Sequence, residues 1–157
     1  MRKRLLDPVQ KHVTSEDSDW LDLDRLADVE ITSEDPAHPI EAALLSNRTS
    51  GWRAERLGEQ TIRLHFMSPQ HIRRIQLRFL ESDVERTQEF VLRWSQDGGQ
   101  TFHDIVRQQW NFSPHGSTVE TEDHHVNLPK VTALELHIIP DIGNNRAPAS
   151  LDRLRVA

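Results

Sequence analysis

Phe90-Val91-Leu92-Arg93-Trp94-Ser95-Gln96-Asp97-Gly98-Gly99-Gln100-Thr101-Phe102 decides the fold of this chain. Phe90, Leu92 and Trp94 alternate with Val91, Arg93 and Ser95, the two-residue period of a half-buried strand. Asp97-Gly98-Gly99 supplies residues that accept positive φ in a tight hairpin, and Phe102 and Ile105 restart the apolar pattern beyond it. The stretch reads as a hairpin at the centre of an all-β chain.

Working outward, strands are predicted over 29–32, 61–66, 72–80, 89–95, 101–107, 124–128, 133–139 and 151–156. Ile62, Leu64 and Phe66 share one face, as do Ile75, Leu77 and Phe79, and then Leu134, Leu136 and Ile138. Ile40-Glu41-Ala42-Ala43-Leu44-Leu45 can form a short helix in the first long connection. Trp20, Leu21, Leu23 and Leu26 form an apolar set that reads as a turn of helix or a first strand. Eight strands with little helix predict an antiparallel jelly-roll β-sandwich spanning 20–157, preceded by a loose or partly helical lead-in over 1–19.

The totals narrow the function. The 157 residues suffice for one domain with a real core. A formal charge of −6 argues against a broad phosphate-binding surface, so no nucleic-acid partner is expected. Cysteine is absent, which excludes thiolate chemistry and a disulfide framework. The basic start Met1-Arg2-Lys3-Arg4 lacks the apolar run of a signal peptide, and no stretch has the length of a membrane span. A cytoplasmic location is the resulting expectation.

Strand parity locates a binding end. In an antiparallel sandwich, successive connections alternate between its two ends. The connections 67–71, 96–100 and 129–132 are short, whereas 33–60, 81–88, 108–123 and 140–150 are long. All the long loops are therefore expected at one end, where binding sites tend to be built.

The order of these pieces resembles the discoidin family, the coagulation-factor C-type domains among the galactose-binding-domain-like jelly rolls. The resemblance rests on Gly51-Trp52, Gln60-Thr61-Ile62-Arg63-Leu64-His65-Phe66, Ile72-Arg73-Arg74-Ile75-Gln76-Leu77, the Trp94-Ser95-Gln96-Asp97-Gly98 turn, Ala133-Leu134-Glu135-Leu136 and Leu151-Asp152-Arg153-Leu154. It implies a noncatalytic binding domain whose ligands range from carbohydrates and phospholipids to proteins, with Trp52 mainly structural. Many carbohydrate-binding relatives hold a structural calcium with an Asp-Gly-Asp-like loop before that Trp and a Glu on the closing strand. Here the loop reads Leu44-Leu45-Ser46-Asn47-Arg48-Thr49-Ser50, without a carboxylate, and Arg153 falls at the Glu position. Calcium requires several hard oxygen ligands, so the expectation is no metal and no cofactor.

Trp110-Asn111-Phe112-Ser113-Pro114-His115-Gly116 is the most promising loop. An exposed indole offers a flat face to a sugar, and Asn111, His115, Asn145, Arg146 and Arg53 could hydrogen-bond its hydroxyls. The alternative is that Trp110 and Phe112 plug the sandwich end. Trp94 is expected in the core. His124 and His125 are neighbours on a strand, point to opposite faces and cannot chelate together. Glu120, Glu122 and Asp123 could be paired carboxylates for glycoside hydrolysis or a solvated strand entry. Arg73, Arg74 and Arg78 read as a solvated face. With no nucleophile elbow or phosphate-cradling glycine loop, the residues indicate a module rather than an enzyme. Its expected ligand is a carbohydrate or other polar small molecule, with a protein-interaction module as the alternative.

Overall fold

The computed structural model describes residues 20–157 apart from Thr49 and Asn145; the lead-in over 1–19 lies outside them. In chain order it runs α1 (Leu23–Leu26), β1 (Ala27–Ile31), α2 (Glu41–Leu44), β2 (Trp52–Leu57), β3 (Gln60–Leu80), β4 (Arg86–Ser95), β5 (His103–Phe112), β6 (Val119–Ile139), β7 (Pro148–Leu151) and β8 (Arg153–Val156). All strand pairs are antiparallel.

Two long, bent strands build the sandwich. The first half of β3 pairs with β1 and with the second half of β6, and β4 and β5 extend that layer in the order β1-β3-β6-β4-β5. The second half of β3 pairs with β8 and with the first half of β6 to make the opposing layer. At the bends the β3–β6 register slips between His65 and Arg74, and Lys130 takes a φ of 58°. Residues 67–71 and 129–132 are therefore bends within strands rather than connections. The strands read from sequence over 61–66 and 72–80 are the two halves of β3, and those over 124–128 and 133–139 lie within β6.

Three other boundaries move. β4 begins at Arg86 and β5 continues to Phe112, so each carries its alternation further toward the loop end. The closing strand splits at Asp152, whose N–H donates to Arg78 O at 2.9 Å. β2 arises inside the first long connection and pairs with β7. Gly51, at φ 72°, permits this join: a Cβ there would sit 3.1 Å from Leu151 O and Asp152 Cα. The short helix expected near 40–45 is α2.

Inward faces of both layers make one core. Ile62, Leu64, Ile75, Leu77, Phe79, Phe90, Leu92, Leu134, Leu136 and Ile138 are buried together, and the Phe79 and Phe90 rings meet across the layers at 5.3 Å. Trp52 is buried as a plug, its Nε1–H donating to Ser33 O at 3.1 Å. Trp94 is only half-buried, packing against the core on one side and tilted against His103 at 5.3 Å.

The Asp-Gly-Gly turn closes the short-loop end. Ser95 Oγ accepts from the N–H groups of Asp97 and Gly99, and Gly98 N–H donates to Thr132 Oγ1 at 2.9 Å, tying the turn to the β6 bend. The Ser95 hydroxyl and the Thr101 N–H on the Asp97 carboxylate hold its pKa down to about 2.

On the outer face of the five-strand layer one register row alternates in charge. Glu30, Arg63, Glu135, Arg93 and Asp104 stand side by side on β1, β3, β6, β4 and β5. Successive N···O distances along that row are 3.9, 2.6, 3.9 and 2.9 Å.

Candidate functional site

Opposite the Asp-Gly-Gly turn, the long connections meet. Glu81 N–H donates to Thr118 O at 2.9 Å, and Ile142 N–H donates to Thr87 O at 2.9 Å. These bonds join 81–85 to 113–118, and 140–147 to the start of β4. The first connection arrives beside them, because Gln60 pairs with Ile138 and Leu57 with Pro148. Among the described residues six large hydrophobics are exposed: Leu57, Met67, Leu80, Val84, Val119 and Ile142. All but Met67 lie at this end.

A buried arginine organises these loops. Arg86 has no side-chain exposure; its Nε–H donates to Glu81 at 2.7 Å and Nη1–H to Pro140 O at 2.8 Å and Gln88 Oε1 at 3.2 Å. Its guanidinium lies 4.8 Å from the centre of the Phe112 ring. Arg86 and Gln88 face inward because they continue the alternation of Phe90 and Leu92. Gln88 then donates to Glu120 Oε1 across the layers at 3.3 Å. His124 Nε2 lies 3.1 Å from Glu122, so polar groups run unbroken from loop end to sandwich edge.

Glu120 corrects the reading of a solvated strand entry. It is buried, and burial first, then the neighbouring Glu122 charge, raise its pKa to about 8. Glu120 Oε2 finds no hydrogen-bond partner, which suits a carboxyl that keeps its own proton. Glycosidase carboxyls stand about 5–9.5 Å apart to leave room for the glycosidic bond. Glu120, buried in the interior, cannot face such a bond. Asp123 is the solvated member, paired with Arg74 at 2.7 and 2.8 Å, which lowers its pKa.

The expected aromatic platform is corrected too. Phe112 is fully buried and Trp110 is half-buried against the core, with Nε1 enclosed and unpartnered. Both lie on the inward face of β5, opposite Arg86 and Gln88, so the plug describes them. Asn111 points outward and accepts from the Thr87 hydroxyl at 2.7 Å. His115 and Arg146 are exposed on two of the converging loops; Asn145 lies outside the described residues.

Arg53 lines a concavity. It shares a hollow of about 160 Å³ with His38, Leu80, Ser82, Asp83 and Ser150 among others. The structure does not bring Asn111, His115 or Arg146 into that hollow. Sequence reasoning missed His38, Ser82 and Asp83; the signal was the prediction that 33–60 and 81–88 share one end.

A larger cleft of about 750 Å³ opens on the flank, between residues 20–24 and 44–47 over the start of β8. Arg153 fixes its wall: Nη1–H donates to Leu45 O at 3.0 Å and Nη2–H to Arg48 O at 2.7 Å. These two carbonyls face a guanidinium, so a calcium ion does not fit between this loop and the closing strand. Burial, then the neighbouring Arg155 charge, lower the Arg153 pKa. Among the described residues no three histidines or carboxylates could hold a metal together. His124 and His125 divide as expected: one is half-buried, the other exposed.

These features define an antiparallel jelly-roll sandwich that gathers its connecting loops at one end. The chain belongs to the F5/8 type C domain family, whose pattern it matches over residues 27–152. No curated protein matches it in sequence. Among solved structures it is similar to the Clostridium perfringens module CpGH89CBM32-5 in complex with GalNAc-β-1,3-galactose, at 20% identity over 87% of this chain and 98% of that one, with a TM-score of 0.61. The family 32 carbohydrate-binding module of C. perfringens NanJ, in complex with galactose, gives 12%, 87%, 96% and 0.63. The corresponding module of AlyQ, in complex with 4,5-unsaturated mannuronic acid, gives 14%, 84%, 95% and 0.60. At these identities the likeness establishes the fold. No helix among the described residues is long and apolar enough to cross a membrane.

Proposed function

We propose that the chain is a noncatalytic carbohydrate-binding module that takes a sugar at its long-loop end. The observation that carries this is the hollow beside Arg53, built where the connections 33–60 and 81–88 meet the β7–β8 corner. His38, Arg53, Ser82, Asp83 and Ser150 offer donors and acceptors close together, which suits hydroxyls that both give and take hydrogen bonds. The solved relatives bound to galactose, GalNAc-β-1,3-galactose and an unsaturated uronate support the ligand class. The hollow lies below the roughly 300–1,000 Å³ of a drug-sized pocket and suits one sugar ring at most.

A protein partner is the second reading. It is favoured by the exposed Leu57, Leu80, Val84, Val119 and Ile142 around the same end. A cytoplasmic location, supported by the cysteine-free sequence, would suit it.

Titration calorimetry with galactose and GalNAc-β-1,3-galactose on the wild type, Arg53→Ala and Asp83→Ala tests the sugar site. Binding that weakens about tenfold or more in both folded variants supports it. Sugar binding indifferent to both variants removes the site from this hollow. No sugar binding, with a protein captured through the apolar rim, favours the second reading.

A further inference from the structure

We propose that the flank cleft is a second glycan site, which takes a neutral oligosaccharide against the ring of Trp20. This rests on the carbohydrate reading above but uses different residues. At about 750 Å³ the cleft falls within the roughly 300–1,000 Å³ typical of ligand pockets, whereas the loop-end hollow does not.

Trp20 provides the flat apolar surface that Trp110 and Phe112, turned into the core, do not. Its ring lies over two guanidiniums, Arg74 at 5.0 Å and Arg155 at 5.9 Å. Both rise from the outer face of the β3–β8 pair, since Gln76 pairs with Arg155 and Arg74 stands two residues from Gln76 on the same face. Arg74 and Arg155 thus reach the indole from the sheet, and the same ring lines the cleft. The segment is tied down by Leu21 N–H, which donates to Val156 O at 2.7 Å.

The polar groups around the ring set the ligand class. Asp22 and Asp24 are exposed on one wall, Ser46 and Asn47 on the other, with Arg155 on the floor. Among the described residues Asp22 pairs with Arg25, at 3.7 Å. Carboxylates accept from hydroxyl pairs, while the amide and guanidinium donate to ring and hydroxyl oxygens. Asp22 and Asp24 are balanced by Arg153 and Arg155, so the lining gives no net attraction for a charged sugar and the occupant is neutral. The Ser46–Asn47 wall is pinned by the Arg153 bonds to Leu45 O and Arg48 O, which lowers the ordering cost of binding.

Calorimetry on the full chain with GalNAc-β-1,3-galactose and a panel of neutral tetrasaccharides tests the proposal. Trp20→Ala, Asp24→Asn and Asn47→Ala are compared with Arg53→Ala, each first shown to melt cooperatively. Expected are two sugars per wild-type chain. The flank variants should each weaken one site about tenfold or more, and Arg53→Ala only the other. Binding retained in Arg53→Ala but lost in the flank variants supports the cleft and removes the loop-end site. A single sugar per chain whose affinity the three flank variants leave unchanged overturns the cleft while leaving the loop-end reading intact. Failure of every neutral sugar to bind the wild type overturns both.

Discussion

Two polar constellations on this sandwich use the same residue types under opposite conditions. The row Glu30-Arg63-Glu135-Arg93-Asp104 crosses the outer face of five strands, with its end members largely in water. The chain Glu81-Arg86-Gln88-Glu120 crosses the interior at the loop end, where Arg86 Nη2 and Glu120 Oε2 have no partner of fixed geometry. In the first, water screens the outer pairs, so the end members matter little, and the one buried member, Glu135, sits between two guanidiniums. In the second, removing one group strands the others away from solvent. The interior chain, not the more conspicuous outer row, holds the long loops in place.

The sharpest way to break this comparison is Arg86→Ala. It leaves Glu81, Gln88 and Pro140 O without their donor, and such a change costs about 3–5 kcal/mol. Chemical denaturation should report that loss, and hydrogen exchange should show faster opening of 81–87 and 140–143. A loss below about 1 kcal/mol would place Arg86 with the surface pairs.

Glu120 gives the comparison a pH signature. Its pKa rises from 4.5 unfolded to about 8 folded, so the folded state holds the proton more tightly. This contribution to stability is fully present below pH 4.5 and is lost as pH rises through about 8. Between pH 5.5 and 8.5 the wild-type Tm should fall by roughly 5 °C or more, beyond any slope kept by Glu120→Gln. Equal slopes would show that Glu120 is ionised throughout. Arg153→Ala should be intermediate, lowering Tm by a few degrees through the two released carbonyls, while chelator leaves the wild-type Tm unchanged. A chelator-sensitive wild type would contradict the guanidinium link. The smallest effect belongs to the outer row: Asp104→Ala should cost about 0–1 kcal/mol and less in high salt.

Much of this fold is legible as period-two alternation. Ile62-x-Leu64-x-Phe66, Ile75-x-Leu77-x-Phe79 and Leu134-x-Leu136-x-Ile138 are buried as read, because sandwich strands show one face to the core and one to water. The same signal extends through Arg86-x-Gln88-x-Phe90 and Val106-x-Gln108-x-Trp110-x-Phe112. Inward Arg86 and Gln88 and exposed Gln108 hide it, since a hydrophobicity pattern does not register polar groups that are buried in a network or that face water on an edge strand. β2 escapes for another reason: only Trp52 and Ala54 turn inward, and the rest of the strand is exposed. The bends at 67–71 and 129–132 read as loops because Pro69 and Pro129 and their polar neighbours break the alternation, although the β3–β6 pairing resumes through Gln70 and Val131. Loop parity survived these errors: each merged pair of strands removes one short connection and keeps the long ones together. The site itself was less legible. Arg53, expected beside the Trp110 loop, lines a separate hollow that His38, Ser82 and Asp83 join only through tertiary packing.

The most direct test of the central claim is the affinity of folded Arg53→Ala for galactose and GalNAc-β-1,3-galactose beside that of the wild type. The sugar site at the long-loop end predicts measurable wild-type binding at that site, weakened about tenfold or more in the variant with Tm unchanged. A variant that binds both sugars at that stoichiometry and affinity as the wild type does would contradict it.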